Sequence, residues 1–372
     1  MELSKRTLFV MPVLFCGGSE KQIRFLIDGL YKKGYPISVL VESSLKEMTK
    51  DEQDFVQAHP GISFLFLNSS AATAKDKGIV VKYAAKIASM LRMLRLLSRE
   101  IREKHVDQVM VTNLTGLMLL FFLKMLKCEV IYNERNPGDA VTSFFWRRVL
   151  LKKCSKIVCN SKAASRIMSQ RLRLPVPVIN NGVKMQDFTP NVGGDGTYQI
   201  IVPARISKIK NQKVILEAAA RLRNEMDFRV IFAGAIEDQR YYDELQKIVR
   251  DSGLEKNVEF IGFTSNLKQY YRESQLLILA SFEEGTPNVL LEAYMHGIPV
   301  LASDIPMNAD CVLKKDMLFS PENPEDLAQK IKMSKERPKE DLLEILKENR
   351  SFVEKNYGEE RMVEDYIKIL YG

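Results

Sequence analysis

Short apolar runs alternate with segments of helical periodicity along most of this chain. Six runs in the first half have the length and composition of buried strands, at residues 7–13, 37–41, 62–67, 106–111, 130–132 and 157–159. A second series occupies residues 199–202, 228–233, 258–261, 276–279 and 299–302. Because helical segments separate the runs, the pattern predicts βαβ units, parallel sheets and an α/β fold.

The length of the chain favours two domains. A chain of 372 residues exceeds the size at which one hydrophobic core stops growing. Its most glycine-rich segment, residues 191–196, lies between the two series of strands. We therefore expect an interdomain linker near residues 184–198.

Two carboxylates lie eight residues apart around a Gly-Thr-Pro turn, Glu284 before it and Glu292 in the apolar segment after it. The turn comprises Gly285, Thr286, Pro287, Asn288 and Val289. Apolar residues on both sides predict strand, loop and helix, so backbone amides of the turn would face an anion or sugar hydroxyls at a helix N-terminus. Carboxylates accept hydrogen bonds from vicinal diols, which suggests a hexose at one and a ribose at the other. A helix that merely begins with acidic residues would show the same pattern.

A second candidate for phosphate binding follows the first predicted strand. Gly17 and Gly18 precede a helical segment, and two glycines there would let the backbone approach a diphosphate closely. The chain contains neither G-x-G-x-x-G nor G-x-x-x-x-G-K-[S/T]. These absences count against dinucleotide-dependent oxidoreductases and P-loop enzymes.

Cysteine and histidine usage argues against a metal site. The five cysteines form no C-x-x-C pair, and the three histidines are scattered. The first residues lack the features of a signal peptide, and the apolar segment 114–126 is interrupted by Lys124 and too short to span a bilayer. We therefore expect a cytoplasmic protein that needs no metal or other cofactor.

The net charge of +8 is unevenly distributed. Residues 1–185 contain 30 Lys and Arg against 15 Asp and Glu, a net +15, and the remainder carries 25 against 32, a net −7. The basic half is expected to face an anionic partner, and we favour the anionic membrane surface over nucleic acid because no nucleic-acid-binding motif accompanies the charge.

One segment concentrates this basic charge at helical spacing. Residues 82–104 predict a helix whose core face consists of Ala84, Ile87, Leu91, Leu94, Ser98 and Ile101. Another side of the same helix carries Arg92, Arg95, Arg99 and Arg102. Such a stripe suits lipid phosphates, although an ordinary solvated helix face has the same composition. Further on, cations follow the aromatic run at residues 144–146, a combination typical of a headgroup interface.

Several short motifs, taken in order, resemble the retaining glycosyltransferases of the GT-B fold, specifically glycosyltransferase family 4. They are G-G-S-E at residues 17–20, N-S-K at 160–162, I-N-N-G-V at 179–183, P-A-R-I-S-K-I-K-N-Q at 203–212, V-E-F-I-G-F at 258–263 and H-G-I-P-V at 296–300, with Glu284 and Glu292 between the last two. The resemblance covers most of the chain. It implies two Rossmann-like domains, at 1–185 and 186–355, facing a central cleft, and a helix at 356–372 that crosses back to the first domain.

The resemblance also implies site residues. Arg205 and Lys210 correspond to a cationic clamp on the donor pyrophosphate, although two surface cations would look the same in sequence. The family reaction retains the anomeric configuration without a protein nucleophile. Many relatives carry a histidine where this chain has N-E-R-N-P at residues 133–137. There Glu134 and Arg135 would orient donor or acceptor hydroxyls, or form a local ion pair.

The function predicted from the sequence is transfer of a hexose-type sugar from a nucleotide-diphosphate sugar to a glycan acceptor during surface polysaccharide synthesis, and we expect this acceptor to be lipid-linked. Glu284, Arg205, Lys210 and Glu134 are the predicted catalytic residues, and the enzyme would work at the inner face of the cell membrane. Two alternatives stay open. One is a GT-B sugar-nucleotide epimerase, and the other is a non-catalytic, basic membrane-binding protein.

Overall fold

The computed structural model describes residues 5–14, 18–43, 48–67, 79–193, 196–264 and 266–372, and the side chains of its third helix from residue 87 onward. The chain forms two units. Unit 1 comprises Met1–Gly182 with Glu359–Gly372, and unit 2 comprises Val183–Gly358. The boundaries expected from the sequence were 185/186 and 355/356.

Unit 1 is built on a parallel sheet with the strand order β3-β2-β1-β4-β5-β6. Its strands are β1 (Arg6–Met11), β2 (Ile37–Val41), β3 (Ser63–Phe66), β4 (Val106–Val111), β5 (Glu129–Glu134) and β6 (Lys156–Cys159). Helices cover both faces of the sheet, so its strands are near-continuous apolar runs rather than alternating patterns.

The helices of unit 1 form two layers. They are α1 (Gly18–Lys32), α2 (Lys50–Gln57), α3 (Ile79–Lys104), α4 (Leu114–Met118), α5 (Leu120–Met125), α6 (Asp139–Thr142), α7 (Phe145–Lys153), α8 (Lys162–Leu172) and α16 (Glu359–Tyr371). Leu97, Leu123 and Leu151 join α3, α5 and α7 in the core on one face of the sheet. Leu26 and Tyr366 join α1 and α16 in the core on the opposite face.

Unit 2 has a second parallel sheet, with the strand order β12-β11-β10-β7-β8-β9. Its strands are β7 (Tyr198–Val202), β8 (Phe228–Ala233), β9 (Val258–Gly262), β10 (Leu276–Leu279), β11 (Val300–Ser303) and β12 (Leu318–Phe319). Every strand predicted from the sequence is confirmed. The prediction missed β12, because two residues are too short a run to carry a period.

The helices of unit 2 flank its sheet. They are α9 (Gln212–Leu222), α10 (Gln239–Asp251), α11 (Leu267–Glu273), α12 (Asn288–His296), α13 (Pro306–Ala309), α14 (Pro324–Glu336) and α15 (Lys339–Asn356). A 3₁₀ turn at Lys208–Lys210 leads into α9. In each sheet the strand order reverses once, between β1 and β4 and between β7 and β10. Such switch points open a crevice at the carboxyl ends of the strands, where ligands of this fold class bind.

The core face predicted for helix α3 is only partly right, because Ile101 is buried and Leu94 packs against the core but two other predicted members are exposed. Ile87 and Leu91 are 61% and 49% exposed, and Ala84 lies among the side chains that are not described. The buried stripe contains Met93, Leu97, Glu100 and Ile101. Apolar residues on two faces fit the same period, and a buried Glu100, which accepts a hydrogen bond from Ser38 Oγ at 2.7 Å, cannot be read from periodicity.

The apolar segment at residues 114–126 forms α4 and α5, which bury Leu117, Leu120 and Leu123 and expose Met118 and Phe121. Within the described part of the chain, no helix has both the length and the apolar character needed to cross a membrane.

We predict that Gly234→Ala destabilises unit 2. A Cβ at residue 234, just after β8, would lie 2.1 Å from the carbonyl oxygen of Ala204. The backbone must shift to relieve this clash, so the free energy of unfolding should fall by about 1–3 kcal/mol in urea titrations followed by circular dichroism. Gly358→Ala is the control, since its Cβ would lie 3.7 Å from the nearest atom, Glu354 O. Equal urea midpoints for the two variants would contradict the prediction.

Candidate functional site

Two loops of unit 2 meet at the switch point between β7 and β10. The loop after β7 is held to the loop after β8 by Ile206, whose amide donates to Ala235 O at 2.9 Å. The loop after β10 is held to the first by Phe282, whose amide donates to Ile209 O at 2.9 Å. These backbone hydrogen bonds fix the main-chain positions from which the side chains of both loops extend.

The two loops bring Lys210 and Glu284 into a partly buried ion pair. Lys210 Nζ lies 2.6 Å from Glu284 Oε1, and the two side chains are only 17% and 13% exposed. Ser281 Oγ donates to the same carboxylate oxygen at 2.6 Å. The sequence placed both residues in the site but did not predict that they pair.

A chain of hydrogen bonds supports this carboxylate from within the sheet. The carbonyl of buried Ser281 accepts a hydrogen bond from Ser303 Oγ at 2.6 Å. Asn308 Nδ2 donates to Ser303 Oγ at 3.0 Å. Sequence analysis missed all three residues. The signal was available for Ser281 and Ser303, because each stands at the end of a buried apolar run whose carboxyl end reaches the same sheet edge.

Arg205 lies in the same loop as Lys210 but nearer to solvent. Its Nη1 donates to Glu237 Oε1 at 2.7 Å, and both side chains are about half exposed. Glu237, which follows β8, is another residue that the sequence analysis missed. Each cation of the predicted clamp therefore faces a carboxylate, and an exposed ion pair of this kind exchanges partners at little cost.

The turn between Glu284 and α12 has the predicted form. Gly285, Thr286 and Pro287 lead into α12, which begins at Asn288 with Val289 next, and no side-chain hydrogen bond caps it. First-turn amides of an uncapped helix attract anions and hydroxyls. Glu292 lies one turn further on, half buried, beside Tyr271. Burial, together with the Glu292 carboxylate, raises the pKa of Tyr271 well above its usual value.

In unit 1, Glu134 ends β5 and is buried. Its carboxylate accepts hydrogen bonds from the Tyr132 hydroxyl at 3.0 Å and from the amides of Arg135 and Asn136 at 3.0 and 2.8 Å. Burial raises its pKa. The alternative of a local Glu134–Arg135 ion pair is wrong, because the carboxylate bonds to the neighbouring backbone and the guanidinium bonds elsewhere.

The Arg135 guanidinium reaches away from Glu134. Its Nη2 donates to Asn181 Oδ1 at 2.8 Å, and its Nη1 lies 3.5 Å from the Tyr366 hydroxyl on α16. Gly18 begins α1, whereas Gly17 lies outside the described residues. The four arginines of α3 are all exposed, as expected for a basic stripe.

The segment of unit 2 that holds these loops matches a known family. Residues 186–352 match the model of glycosyl transferases group 1, and this range contains Arg205, Lys210, Glu284 and Glu292. Through this segment, which is less than half of the chain, the protein is similar to the group 1 glycosyl transferases. The resemblance noted in the sequence is thereby confirmed at the level of this family.

Relatives of this glycosyltransferase are similar over most of the chain. A Campylobacter jejuni enzyme named GalNAc-alpha-(1->4)-GalNAc-alpha-(1->3)-diNAcBac-PP-undecaprenol alpha-1,4-N-acetyl-D-galactosaminyltransferase is 22% identical and aligns with 82% of this chain and 81% of its own. A Rickettsia africae glycosyltransferase structure has a TM-score of 0.77 at 18% identity, covering 98% of each chain. Anabaena HepE, solved with UDP-glucose, has a TM-score of 0.77 at 17% identity, covering 98% of this chain and 99% of its own. These structures have the GT-B fold, which confirms the fold class predicted from the sequence.

We predict strong energetic coupling between Lys210 and Glu284 of the glycosyltransferase. Removing either partner leaves the other charge partly buried and unpaired. The stability losses of Lys210→Met and Glu284→Gln should therefore add up to more than the loss in the double variant. A double-mutant cycle in urea should yield a coupling energy of about 1–3 kcal/mol. The matched control is Lys213–Glu217, an exposed pair at 3.6 Å, for which about 0.3–0.5 kcal/mol is expected. Comparable coupling energies for the two pairs would contradict the prediction that partial burial strengthens the Lys210–Glu284 pair.

Proposed function

We propose that the enzyme transfers a hexose-type sugar, with retention of anomeric configuration, from a nucleotide-diphosphate sugar to a lipid-linked glycan acceptor in surface polysaccharide synthesis. One observation carries the proposal. The switch-point loops of unit 2 gather two cations, Arg205 and Lys210, and two carboxylates, Glu237 and Glu284, next to the uncapped start of α12. Such a cluster suits a ligand with both anionic oxygens and hydroxyl groups.

The two cations are assigned to the diphosphate of the donor. Negative charge grows on the diphosphate as the bond from the anomeric carbon to its oxygen breaks, so fixed cations stabilise the transition state more than the ground state. On binding, phosphate oxygens would replace Glu237 as the partner of Arg205 and Glu284 as the partner of Lys210. The released Glu284 carboxylate, and Glu292 on α12, would then accept hydrogen bonds from sugar and ribose hydroxyls.

Retention follows in this proposal from attack on the donor face that the diphosphate leaves. The acceptor hydroxyl bonds to the anomeric carbon, the carbon–oxygen bond to the diphosphate breaks, and the hydroxyl proton passes to a donor phosphate oxygen. Atoms and charge balance without a covalent enzyme intermediate or a metal. Glu134 is assigned a positioning role, since its carboxylate already accepts three hydrogen bonds.

The acceptor assignment draws on the similar Campylobacter jejuni enzyme, whose name specifies a PP-undecaprenol-linked saccharide. Such an acceptor is anchored in a bilayer, so the enzyme must reach its surface. We place the enzyme on the inner, anionic face of the cell membrane, where nucleotide sugars are available.

A candidate membrane surface lies on the helix layer of α3, α4, α5 and α7. Its apolar members, exposed to solvent, are Ile87, Leu91, Met118, Phe121, Met125, Phe144, Phe145, Trp146 and Val149. Exposed cations accompany them along α3, namely Arg92, Arg95, Arg99 and Arg102. Apolar side chains that enter the headgroup region beside cations that bind lipid phosphates are the pattern of a peripheral membrane protein. Ile87 and Leu91 of α3, which were wrongly predicted to be core residues, thus belong to this surface.

We expect one nucleotide-sugar class to stabilise the enzyme in a thermal-shift panel of UDP-, GDP-, ADP- and dTDP-sugars. A ligand at about 100 times its Kd adds about 2.7 kcal/mol to the stability of the folded state. The shift should be lost in Glu292→Ala and in Arg205→Ala, which remove a hydroxyl acceptor and a phosphate-binding cation.

Glu283→Ala is the control, because Glu283 is exposed beside Glu284 and should retain the full shift. Turnover should require an acceptor and persist in EDTA. Donor conversion without acceptor would instead indicate the epimerase alternative. If no nucleotide sugar shifted the melting temperature, and membrane binding survived Glu292→Ala with Arg205→Ala, the binding-protein alternative would replace this proposal.

We also expect the enzyme to bind vesicles that contain phosphatidylserine or phosphatidylglycerol, and to lose most of this binding in Arg95→Glu/Arg99→Glu/Arg102→Glu. Each Lys or Arg near an anionic surface contributes about 1 kcal/mol, so three reversals should abolish sedimentation with vesicles. Trp146 is the sole tryptophan of the chain and lies on the proposed surface, so its emission should shift to shorter wavelength on binding.

A matched triple reversal on unit 2, Arg240→Glu/Lys247→Glu/Arg250→Glu, changes the net charge equally on exposed positions of α10. It should retain most of the vesicle binding. Equal loss in both triple variants would mean that overall charge, rather than the α3 surface, drives association.

A further inference from the structure

Arg135 is a buried cation that has no carboxylate partner among the described residues. The residue is only 4% exposed, and in the part of the chain that the structure describes its Nε has no hydrogen-bond partner. Its other contacts are to neutral groups, Asn181 Oδ1 and the Tyr366 hydroxyl. Within the described ranges of the chain, no Asp or Glu forms an ion pair with it, and the adjacent Glu134 carboxylate is occupied by three other donors.

Such an arrangement is unfavourable in the free protein. A buried charge costs several kcal/mol unless an opposite charge and hydrogen bonds compensate for it. Asn181 and Tyr366 supply hydrogen bonds but no negative charge. The described residues thus leave a compensating negative charge to be supplied by a bound ligand.

A cavity beside Arg135 gives such a group access to this residue. Arg135 lines a cavity of about 180 Å³ together with Pro12, Ser19, Thr112, Asn113 and Asn136. These residues follow β1, β4 and β5 or begin α1, so the cavity lies at the switch point of the unit 1 sheet, where ligands of this fold class bind. Glu20 also lines the cavity and opposes an anion, but it does not pair with Arg135.

We infer that Arg135 binds an oxyanion of a substrate, a phosphoryl or carboxylate group, at the switch point of unit 1. The choice of substrates rests on the proposed function, in which the oxyanion belongs either to the nucleotide-sugar donor or to the acceptor. Arg135 then selects an anionic substrate in unit 1, independently of the cations of unit 2. This role goes beyond the orientation of hydroxyl groups that the sequence suggested.

The first test separates ligand binding from a structural role. Arg135→Met replaces an uncompensated buried charge by an apolar side chain of similar length, so the melting temperature of the ligand-free protein should stay the same or rise. Arg337→Met is the matched control, because Arg337 is 18% exposed and donates to Asp316 at 2.6 Å, and its loss should lower the melting temperature. A fall for Arg135→Met as large as that for the control would overturn the inference.

The second test uses inorganic pyrophosphate as the probe, in an Arg205→Ala background that weakens anion binding in unit 2. Pyrophosphate should raise the melting temperature of Arg205→Ala, and this rise should disappear in Arg205→Ala/Arg135→Met. An unchanged rise would show that the oxyanion binds elsewhere. Because this test uses no nucleotide sugar, its outcome does not depend on whether the proposed glycosyl transfer is correct.

Steady-state kinetics identify the substrate that carries the oxyanion. Arg135→Gln should raise one KM by about tenfold or more, equivalent to about 1.4 kcal/mol, with a smaller change in kcat, and Arg135→Lys should recover part of the loss. A rise in the acceptor KM assigns the oxyanion to the acceptor, and a rise in the donor KM assigns it to the donor. Equal KM values for both substrates in Arg135→Gln and the unaltered enzyme would contradict the inference.

Discussion

Parallel strand pairing is the constraint from which the rest of this structure follows. Each parallel connection must cross over one face of the sheet, so helices cover both faces and all strands end at the same edge. The strand order reverses between β1 and β4 and between β7 and β10, which leaves one crevice in each sheet. The geometry that these crevices share, rather than any single motif, brings Lys210 next to Glu284 and Arg135 to a cavity in unit 1.

The two crevices differ in the partners of their cations. In unit 2 each cation faces a carboxylate, at 2.6 Å for Lys210 and 2.7 Å for Arg205, so the free protein is electrostatically satisfied and a ligand must displace a partner. In unit 1, the described partners of the buried Arg135 guanidinium are neutral groups. A displaced carboxylate becomes available to hydroxyl groups, whereas an uncompensated guanidinium favours an incoming anion directly. A ligand must therefore break an ion pair in unit 2, whereas in unit 1 it meets a guanidinium that has hydrogen bonds but no paired carboxylate among the described residues.

The outer helix layer of unit 1 follows a separate constraint. Leu97, Leu123 and Leu151 pack on the sheet, whereas several other apolar residues of α3, α5 and α7 are exposed to solvent. Ile87, Phe121 and Phe145 are exposed beside cations. The same helices therefore serve the core with one face and, in our proposal, the membrane with the other.

The sequence alone determined the strands, the α/β class, the two-domain organisation and the loop that contains Glu284, because buried parallel strands and their turns carry local signals of composition and period. It did not determine which face of α3 is buried, that Lys210 pairs with Glu284, or that Arg135 bonds to Asn181 and Tyr366 rather than Glu134. These contacts join residues that are distant along the chain or choose between two apolar stripes of one helix. Only tertiary packing decides them, since burial and distance are properties of the folded chain and not of its local pattern.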